Sequence, residues 1–307
     1  MVAQKSSLQK IAENPYKLIN ILDKCGLSKF IPDKEYLKIK YRACIGKKLD
    51  LLTPKTFNEK LQWLKLYDRK PIYSTLVDKY AVKEYVASII GEEYIIPTLG
   101  VWDSFDDIDF SSLPNQFVLK CTHDSGGLII CKNKNNFDIK SAKKRINKCL
   151  RRNYFWYGRE WPYKNVKPQI IAEQYLDSID TEQLRDYKYF CFNGKPQFLY
   201  VSEGLDNHKT ASISFFDLKG RQLRFRRNDY KPIDGFVMPP KFDKMESLVR
   251  KLATSVSSPF IRVDMYNVNG SIFFSELTFY PCSGMIPFAP EEADYELGKL
   301  LDIGKTQ

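Results

Sequence analysis

Histidine is nearly missing from this sequence. Its 307 residues include two, His123 and His208, too few for an imidazole-based metal centre. Seven cysteines, Cys25, Cys44, Cys121, Cys131, Cys149, Cys191 and Cys282, are scattered without a C-x-x-C pair. An odd count without paired spacing argues against a zinc ribbon or a disulfide framework and reads as reduced, cytosolic thiols. No apolar run approaches the roughly 18 residues of a membrane span. The opening MVAQKSSLQKIAEN has no apolar centre of the kind an export signal carries. Internal repeats and low-complexity tracts are absent as well, which excludes solenoids and disordered linkers.

What is present is a globular composition with a strong charge bias. Apolar residues make up 43% and charged residues 28%, and the formal net charge is +11. A chain of this length can build two or three lobes with real cores. Residues 1–50 hold 11 Lys+Arg against 5 Asp+Glu, a net of +6. Two further basic runs are KKRINKCLRR, from Lys143, and KGRQLRFRR, from Lys219. Such a balance favours anionic partners, whether nucleotides, acidic sugars, nucleic acid or an anionic membrane face, unless the runs are simply solvated surface.

The periodicities mix helices with antiparallel hairpins. Thr56-Phe-Asn-Glu59 is a capping box and opens a helix to about Tyr67. A second helix is expected from Ser74 to Ile90, stopped by Gly91. Strands are expected at 117–132, around a small glycine loop, and from Ile170 to Tyr175. Hairpins are expected around Asn193-Gly194, Lys219-Gly220 and Asn269-Gly270. Helices fit Lys244 to Ser255 and Glu291 to Leu301. The fold class is therefore α+β or a multi-lobed α/β.

Two places could hold chemistry. In FIRVDMYNVNGSIFFSELTFYP, period-2 alternation lets Arg262, Asp264 and Glu276 share one face of adjacent strands. Two carboxylates so placed form a hard oxygen site suited to Mg²⁺, and an arginine beside them suits a phosphoryl group. The alternative is a cross-strand salt bridge. In FVLKCTHDSGGLII, Lys120 ends an apolar strand before Ser125, Gly126 and Gly127. Glycines let backbone N–H groups approach phosphate oxygens. This is not the P-loop pattern, because the lysine precedes the loop, and an ordinary hairpin reads equally well. His123 in the same loop is either a ligand of the acceptor or γ-phosphate, or a surface histidine.

The order of VDKYAVKEYV…IIP, VLKCTHDSGGLII, IIAEQYL, IRVDMY and FSELTFYPCSG resembles the ATP-grasp superfamily. TFNEKLQWLKLYD, LRDYKYFCFNGKPQF and ELTFYPCSG look like its TupA-like branch, found with teichuronopeptide, capsule and O-antigen gene sets. The resemblance runs over about residues 35–302. It implies an ATP-grasp fold whose two α+β lobes grip ATP. A basic helical region, 1–70, would precede an N-terminal and flap lobe, 71–172, and a C-terminal lobe with the metal site, 173–307. It further implies that Lys79 and Lys120 hold ATP phosphates under a flap of Ser125, Gly126 and Gly127. Glu173 would meet the adenine amino group, with the backbone of Tyr175 and Leu176 along the same edge, and Asp180 or Glu182 would take the ribose. Mg²⁺ would sit on Asp264 and Glu276. Arg262 would stabilise the phosphoryl group in transfer, and Lys188 would contact phosphate or acceptor. One departure is Thr278, which stands where the superfamily pattern has asparagine; a hydroxyl is a weaker third ligand.

The activity implied is ATP-dependent ligation of a carboxylate to an amine through an acyl phosphate, in surface-polysaccharide assembly. The partners would be an acidic saccharide such as a uronate, nucleotide- or lipid-linked, and an amine or amino acid. The location would be the cytoplasm, with the basic N-terminus holding the glycan or lying on the inner membrane face. A glycosyltransferase of the same pathway is the rival, with Asp264 and Glu276 binding Mg²⁺ and a nucleotide-sugar diphosphate. A nucleic-acid module is disfavoured, since it leaves both carboxylates and Lys120 unexplained.

Overall fold

The computed structural model describes residues 12–176, 185–204, 211–227 and 229–304. Near the start of the described residues lie α1 (Ile19–Lys24) and α2 (Asp33–Ile45). Their small core takes Tyr36, Leu37 and Tyr41 from α2 and Met285 from near the other end of the chain. Arg159 locks this region to the rest. It is 0% exposed, pairs with Asp33 at 3.0 Å and donates to Ser28 O at 2.7 Å. Its guanidinium lies 4.0 Å from the centre of the Tyr36 ring.

Thr56 caps α3 (Phe57–Tyr67) as the capping box requires, its hydroxyl accepting from Glu59 N while the Glu59 carboxylate accepts from Thr56 N. Phe57, Leu61 and Leu64 are buried, but so are Asn58, Gln62 and Lys65. These three polar residues, spaced i, i+4 and i+7, form a stripe of their own.

The helix expected from Ser74 to Ile90 is broken. α4 (Ile72–Val77) stops at Asp78, and α5 (Ala81–Ile90) starts afresh. The Asp78 carboxylate accepts from the backbone N–H groups of Tyr80 and Ala81, which is N-cap chemistry. Lys79 is thereby freed from the helix, and its backbone N–H donates to Thr122 O at 3.1 Å.

Two antiparallel sheets follow. The first has β1 (Thr98–Trp102), β2 (Phe117–Cys121), β3 (Leu128–Cys131) and β4 (Ile170–Gln174), in the order β1-β4-β2-β3. Helix α6 (Ile139–Leu150) covers it with Ala142, Ile146 and Cys149. The expected boundary at residues 172 and 173 falls inside β4.

The second sheet has β5 (Asp186–Phe192), β6 (Lys195–Glu203), β7 (Ser212–Asp217), β8 (Phe260–Val268) and β9 (Ser271–Thr278), ordered β7-β6-β5-β8-β9. The turns at Asn193-Gly194 and Asn269-Gly270 have positive φ throughout, as tight hairpins demand. Lys219-Gly220 also turns, but Leu223 to Phe225 form no strand. Among the described residues there is one bridge, Phe216 to Gln222, with bonds from Leu223 N to Phe215 O and from Asp217 N to Arg221 O. Helix α7 (Phe242–Val256) packs on the face that carries Tyr189. Phe190 and Phe192 point the other way, and Phe57 packs against both rings and edge-on to Phe260 at 5.0 Å. Helix α8 (Glu292–Leu300) closes the chain against α3, with Asp294 accepting from Asn58 N and Nδ2. Among the described residues no helix is long and apolar enough to cross a membrane.

Replacing Arg159 with alanine removes the buried half of its pair with Asp33, opens a void and uncovers Tyr36. The expected loss is about 2–3 kcal/mol, read as a lower urea midpoint at unchanged slope. A loss below about 0.5 kcal/mol, the range of ordinary surface substitutions, would show that the N-terminal helices dock without it.

Candidate active site

The polar end of the second sheet is built by strand register. Lys188 stands opposite Asp264, Asp264 opposite Glu276, and Arg262 opposite Thr278. A bulge between Asp264 and Met265 re-aims the strand just past the carboxylate. Side chains of one parity share a face, so Asp186 and Lys188 of β5 join Arg262, Asp264, Glu276 and Thr278.

Asp264 is the centre of the group and is 0% exposed. Arg262 grips it with both arms of its fork, Nε to Oδ1 at 2.7 Å and Nη2 to Oδ2 at 2.6 Å. The Lys188 ammonium donates to Asp264 Oδ2 at 3.0 Å and to Asp186. Arg262 Nη2 also reaches Glu276 Oε1 at 3.1 Å and Thr278 Oγ1 at 3.0 Å. The Thr278 hydroxyl in turn donates to Glu276 Oε1 at 3.2 Å. The second Glu276 oxygen lies 4.0 Å from Lys79 Nζ. Burial alone would raise the Glu276 carboxyl; the charges of Lys79, Arg262 and Lys188 outweigh it and bring it down to about 2. Asp186 shows the opposite balance: burial, with Asp264 adding to it, outweighs Lys188 and pushes its carboxyl up to about 6. Asp186 Oδ1 is buried with no hydrogen-bond partner.

A second charge cluster lies on the first sheet. Glu173 on β4 is ion-paired through one oxygen to Lys83 of α5 and through the other to Lys120 of β2, each at 2.5 Å. Burial works against the Glu173 anion, but the two ammonium groups hold its carboxyl below the ordinary value. Lys83 also donates to Ile96 O at 2.7 Å. The sequence reading missed Lys83, whose partner Glu173 lies ninety residues further along the chain. Tyr175 and Leu176 follow β4 half-exposed; Asp180 and Glu182 lie outside the described residues.

Between the clusters runs the loop from Thr122 to Gly127. Ser125 and Gly126 are exposed at its tip. Gly127 is glycine for a packing reason, because a Cβ there would come within 2.7 Å of Cys121 Sγ. Lys79 joins both sides: its ammonium donates to Asp124 O at 2.8 Å while facing Glu276. His123 is neither a surface residue nor turned to the cleft. It is 1% exposed, with Nε2 3.2 Å from both Cys149 O and Arg152 O. It pins the loop to the end of α6, and burial lowers its pKa.

The arrangement extends beyond the residues that sequence reasoning found. After β9 the chain turns through Cys282, Ser283 and Gly284, all at positive φ. The buried stripe on α3 holds this turn: Gln62 Nε2 donates to Ser283 O and Gly284 O, and Lys65 Nζ to Ser283 O at 2.7 Å and Oγ at 2.9 Å. Glu160 is buried beside this group. Burial pushes its carboxyl up to about 6, against the pull of Lys65, and brings the Lys65 ammonium down to about 7. A cavity of about 30 Å³ lies behind Arg262, lined by Tyr200, Arg227, Cys282 and phenylalanines.

Of the two carboxylates expected to hold Mg²⁺, Glu276 fits best, being ionised and about one-third exposed; Asp264, on the facing position, has both oxygens taken by Arg262 and Lys188. No cluster of three or more His, Cys, Asp or Glu suited to a metal occurs among the described residues. Mg²⁺ does not need one, since it takes one or two carboxylates and completes its shell with phosphate and water.

The family model described as TupA-like ATPgrasp matches residues 59–302. No curated protein matches the chain. Among solved structures, a D-alanine–D-alanine ligase from Helicobacter pylori is 14% identical, with a TM-score of 0.42 over 80% of this chain and 69% of that one. An L-amino acid ligase from Bacillus licheniformis is 11% identical, with a TM-score of 0.45 over 89% of this chain and 63% of that one. An N5-carboxyaminoimidazole synthetase from Staphylococcus aureus is 15% identical, with a TM-score of 0.34 over 66% of this chain and 44% of that one. The chain spans less than two thirds of the latter two.

The two carboxylates should respond differently to neutralisation. Asp264→Asn leaves Arg262 and Lys188 buried without their shared anion and should cost about 3–5 kcal/mol. Glu276→Gln should cost only about 1 kcal/mol at pH 7, after discounting for its exposure. Because the folded-state value of Glu276 is depressed, its contribution is present above the ordinary 4.5 and is lost as pH falls toward about 2. Urea unfolding at pH 7 and pH 3 should show the Glu276→Gln difference shrinking on acidification. A constant difference would mean that Glu276 titrates normally.

Proposed function

The chain belongs to the TupA-like ATP-grasp family, and on that premise we propose that it is an ATP-dependent carboxylate–amine ligase. Its fold is that of ATP-grasp ligases. The substrate would be the carboxylate of an acidic sugar in surface-polysaccharide assembly, joined to an amine or amino acid through an acyl phosphate. The observation that carries the reading is the charge balance across the two clusters. Lys79, Lys83, Lys120, Lys188 and Arg262 face Glu173, Asp186, Asp264 and Glu276, five cations against four anions. A net charge of one is far from enough to neutralise a triphosphate, so a divalent cation completes the site.

A carboxylate does not condense with an amine in water, because its oxygen is a poor leaving group; phosphorylation supplies a good one. Mg²⁺, held by Asp264, Glu276 and Thr278, would supply the charge that draws electron density from the phosphoryl group. Arg262 Nη2, already facing the Glu276 and Thr278 oxygens, is placed to stabilise the equatorial oxygens of that group. Lys79, on the link between α4 and α5, and Lys120, on β2, would hold phosphate oxygens. Lys188 acts by orienting Asp264, to which it donates from the neighbouring strand. Glu173, fixed by its two lysines, keeps lone pairs for the adenine amino group. The backbone of Tyr175 and Leu176 would complete that edge. Ser125, Gly126 and Gly127 would cover the phosphates and exclude water from the acyl phosphate.

Thermal unfolding with nucleotides tests this directly. Mg²⁺-ATP at about 100 times its dissociation constant should add roughly 2.7 kcal/mol, and Glu276→Gln should abolish the part that depends on Mg²⁺. Stabilisation by UDP or UDP-glucuronate, with none by ATP, would overturn the ligase reading and favour a nucleotide-sugar transferase.

A further inference from the structure

A groove outside the ATP site combines the features that recognise an acidic sugar. It lies where the turn after α1 meets the segment following α6 and has a volume of about 280 Å³. Lys24 and Lys29 line one wall, Arg151 and Arg152 the other, with the rings of Trp156 and Tyr157 between them. Among the described residues Lys24, Lys29 and Arg151 have no carboxylate partner. Asp23, the one acid in the lining, is committed to Lys40 at 2.7 Å. The cationic field is therefore uncompensated. Lys29 Nζ lies 5.9 Å from the centre of the Trp156 ring, and Tyr157 is 51% exposed.

We propose that this groove is an accessory site for an acidic saccharide, holding one carboxylate- or phosphate-bearing sugar unit against Trp156 and Tyr157. Resting on the ligase reading, it would anchor the glycan part of the substrate while the reacting carboxyl lies at Arg262. Aromatic faces pack against the C–H face of a sugar ring, and flanking ammonium and guanidinium groups take its anion. The groove is concave, which suits a sugar unit rather than a membrane plane. It offers two rings, which suits one unit rather than a run of stacked bases. It also adjoins the flap. Arg152, on the groove wall, pairs with Asp124 of that loop at 3.8 Å. A chain held here thus lies next to the loop that would cover ATP.

The test uses the full chain, titrated calorimetrically with trigalacturonate, glucose 1-phosphate and neutral maltotriose. Saturable binding of either acidic probe, weakened at least tenfold in a Lys29→Ala/Arg151→Ala double variant, is the expected result. The two acidic probes distinguish a uronate from a sugar phosphate. Both substituted side chains are exposed and bear no ion pair, so the variant should melt as the parent does and keep its stabilisation by Mg²⁺-ATP. Equal affinity in parent and variant, no binding of either acidic probe, or equal binding of maltotriose would overturn the proposal. So would groove-dependent binding of phosphatidylglycerol vesicles or of a single-stranded oligonucleotide without saccharide binding. Saccharide binding that survives while Mg²⁺-ATP gives no stabilisation would sink the ligase reading and leave the groove intact.

Discussion

Asp264 is a carboxylate with no access to water, and much of the second sheet is arranged to make that tolerable. A buried anion is stable only with excellent geometry and full pairing. Arg262, two residues away on the same strand, supplies a two-armed grip; Lys188, directly across on the neighbouring strand, supplies the rest. With the bonds from Arg262 to Glu276 and Thr278, they fix the register of β5, β8 and β9 at once. A slip of one residue would turn the polar set toward Leu248 and Leu252 of α7, and turn Tyr187 and Tyr189 toward Phe57. The requirement that makes the site chemically useful is thus also the one that makes the sheet unique.

Glu276 benefits from that rigidity without sharing the burial. Its neighbours hold it ionised, yet part of it faces the cleft. Lys79 faces it from the far side and is tied by backbone and side chain to the loop over the cleft. The break in the expected helix at Asp78 is what allows this. One capping aspartate converts an interior helical lysine into a connection between the two sheets.

Local chemistry was legible in the sequence. The Thr56 box, the two Asn-Gly turns and the alternation around Asp264 each report a short-range rule, and each appears in the structure. Asp78 was missed because a helical pattern ran on both sides of it, and hydrophobic period outvoted the cap. Lys83, Glu160 and the stripe of Asn58, Gln62 and Lys65 were unreadable for a different reason. Their partners lie from about ninety to more than two hundred residues away, and nothing in one sequence announces such a pairing. His123 was misjudged because its loop sounds exposed; its burial depends on the end of α6, which folds over it.

The stripe on α3 has a consequence for how such chains diverge. Lys65 and Glu160 are two buried ions in one small volume, and Lys65 also satisfies the carbonyl oxygens of Gly158 and Ser283. Loss of either ion alone strands the other, so neutral drift at one position is closed unless the second changes with it. Gly284 is bound to the same fate, since any side chain there would strike Gln62 and Leu61. Substitutions in lineages that share this architecture should therefore arrive as correlated sets linking α3, the segment at Glu160 and the turn at Gly284. The wall of the groove at Lys24, Lys29 and Arg151 carries no such structural coupling, so only the ligand it holds would constrain it.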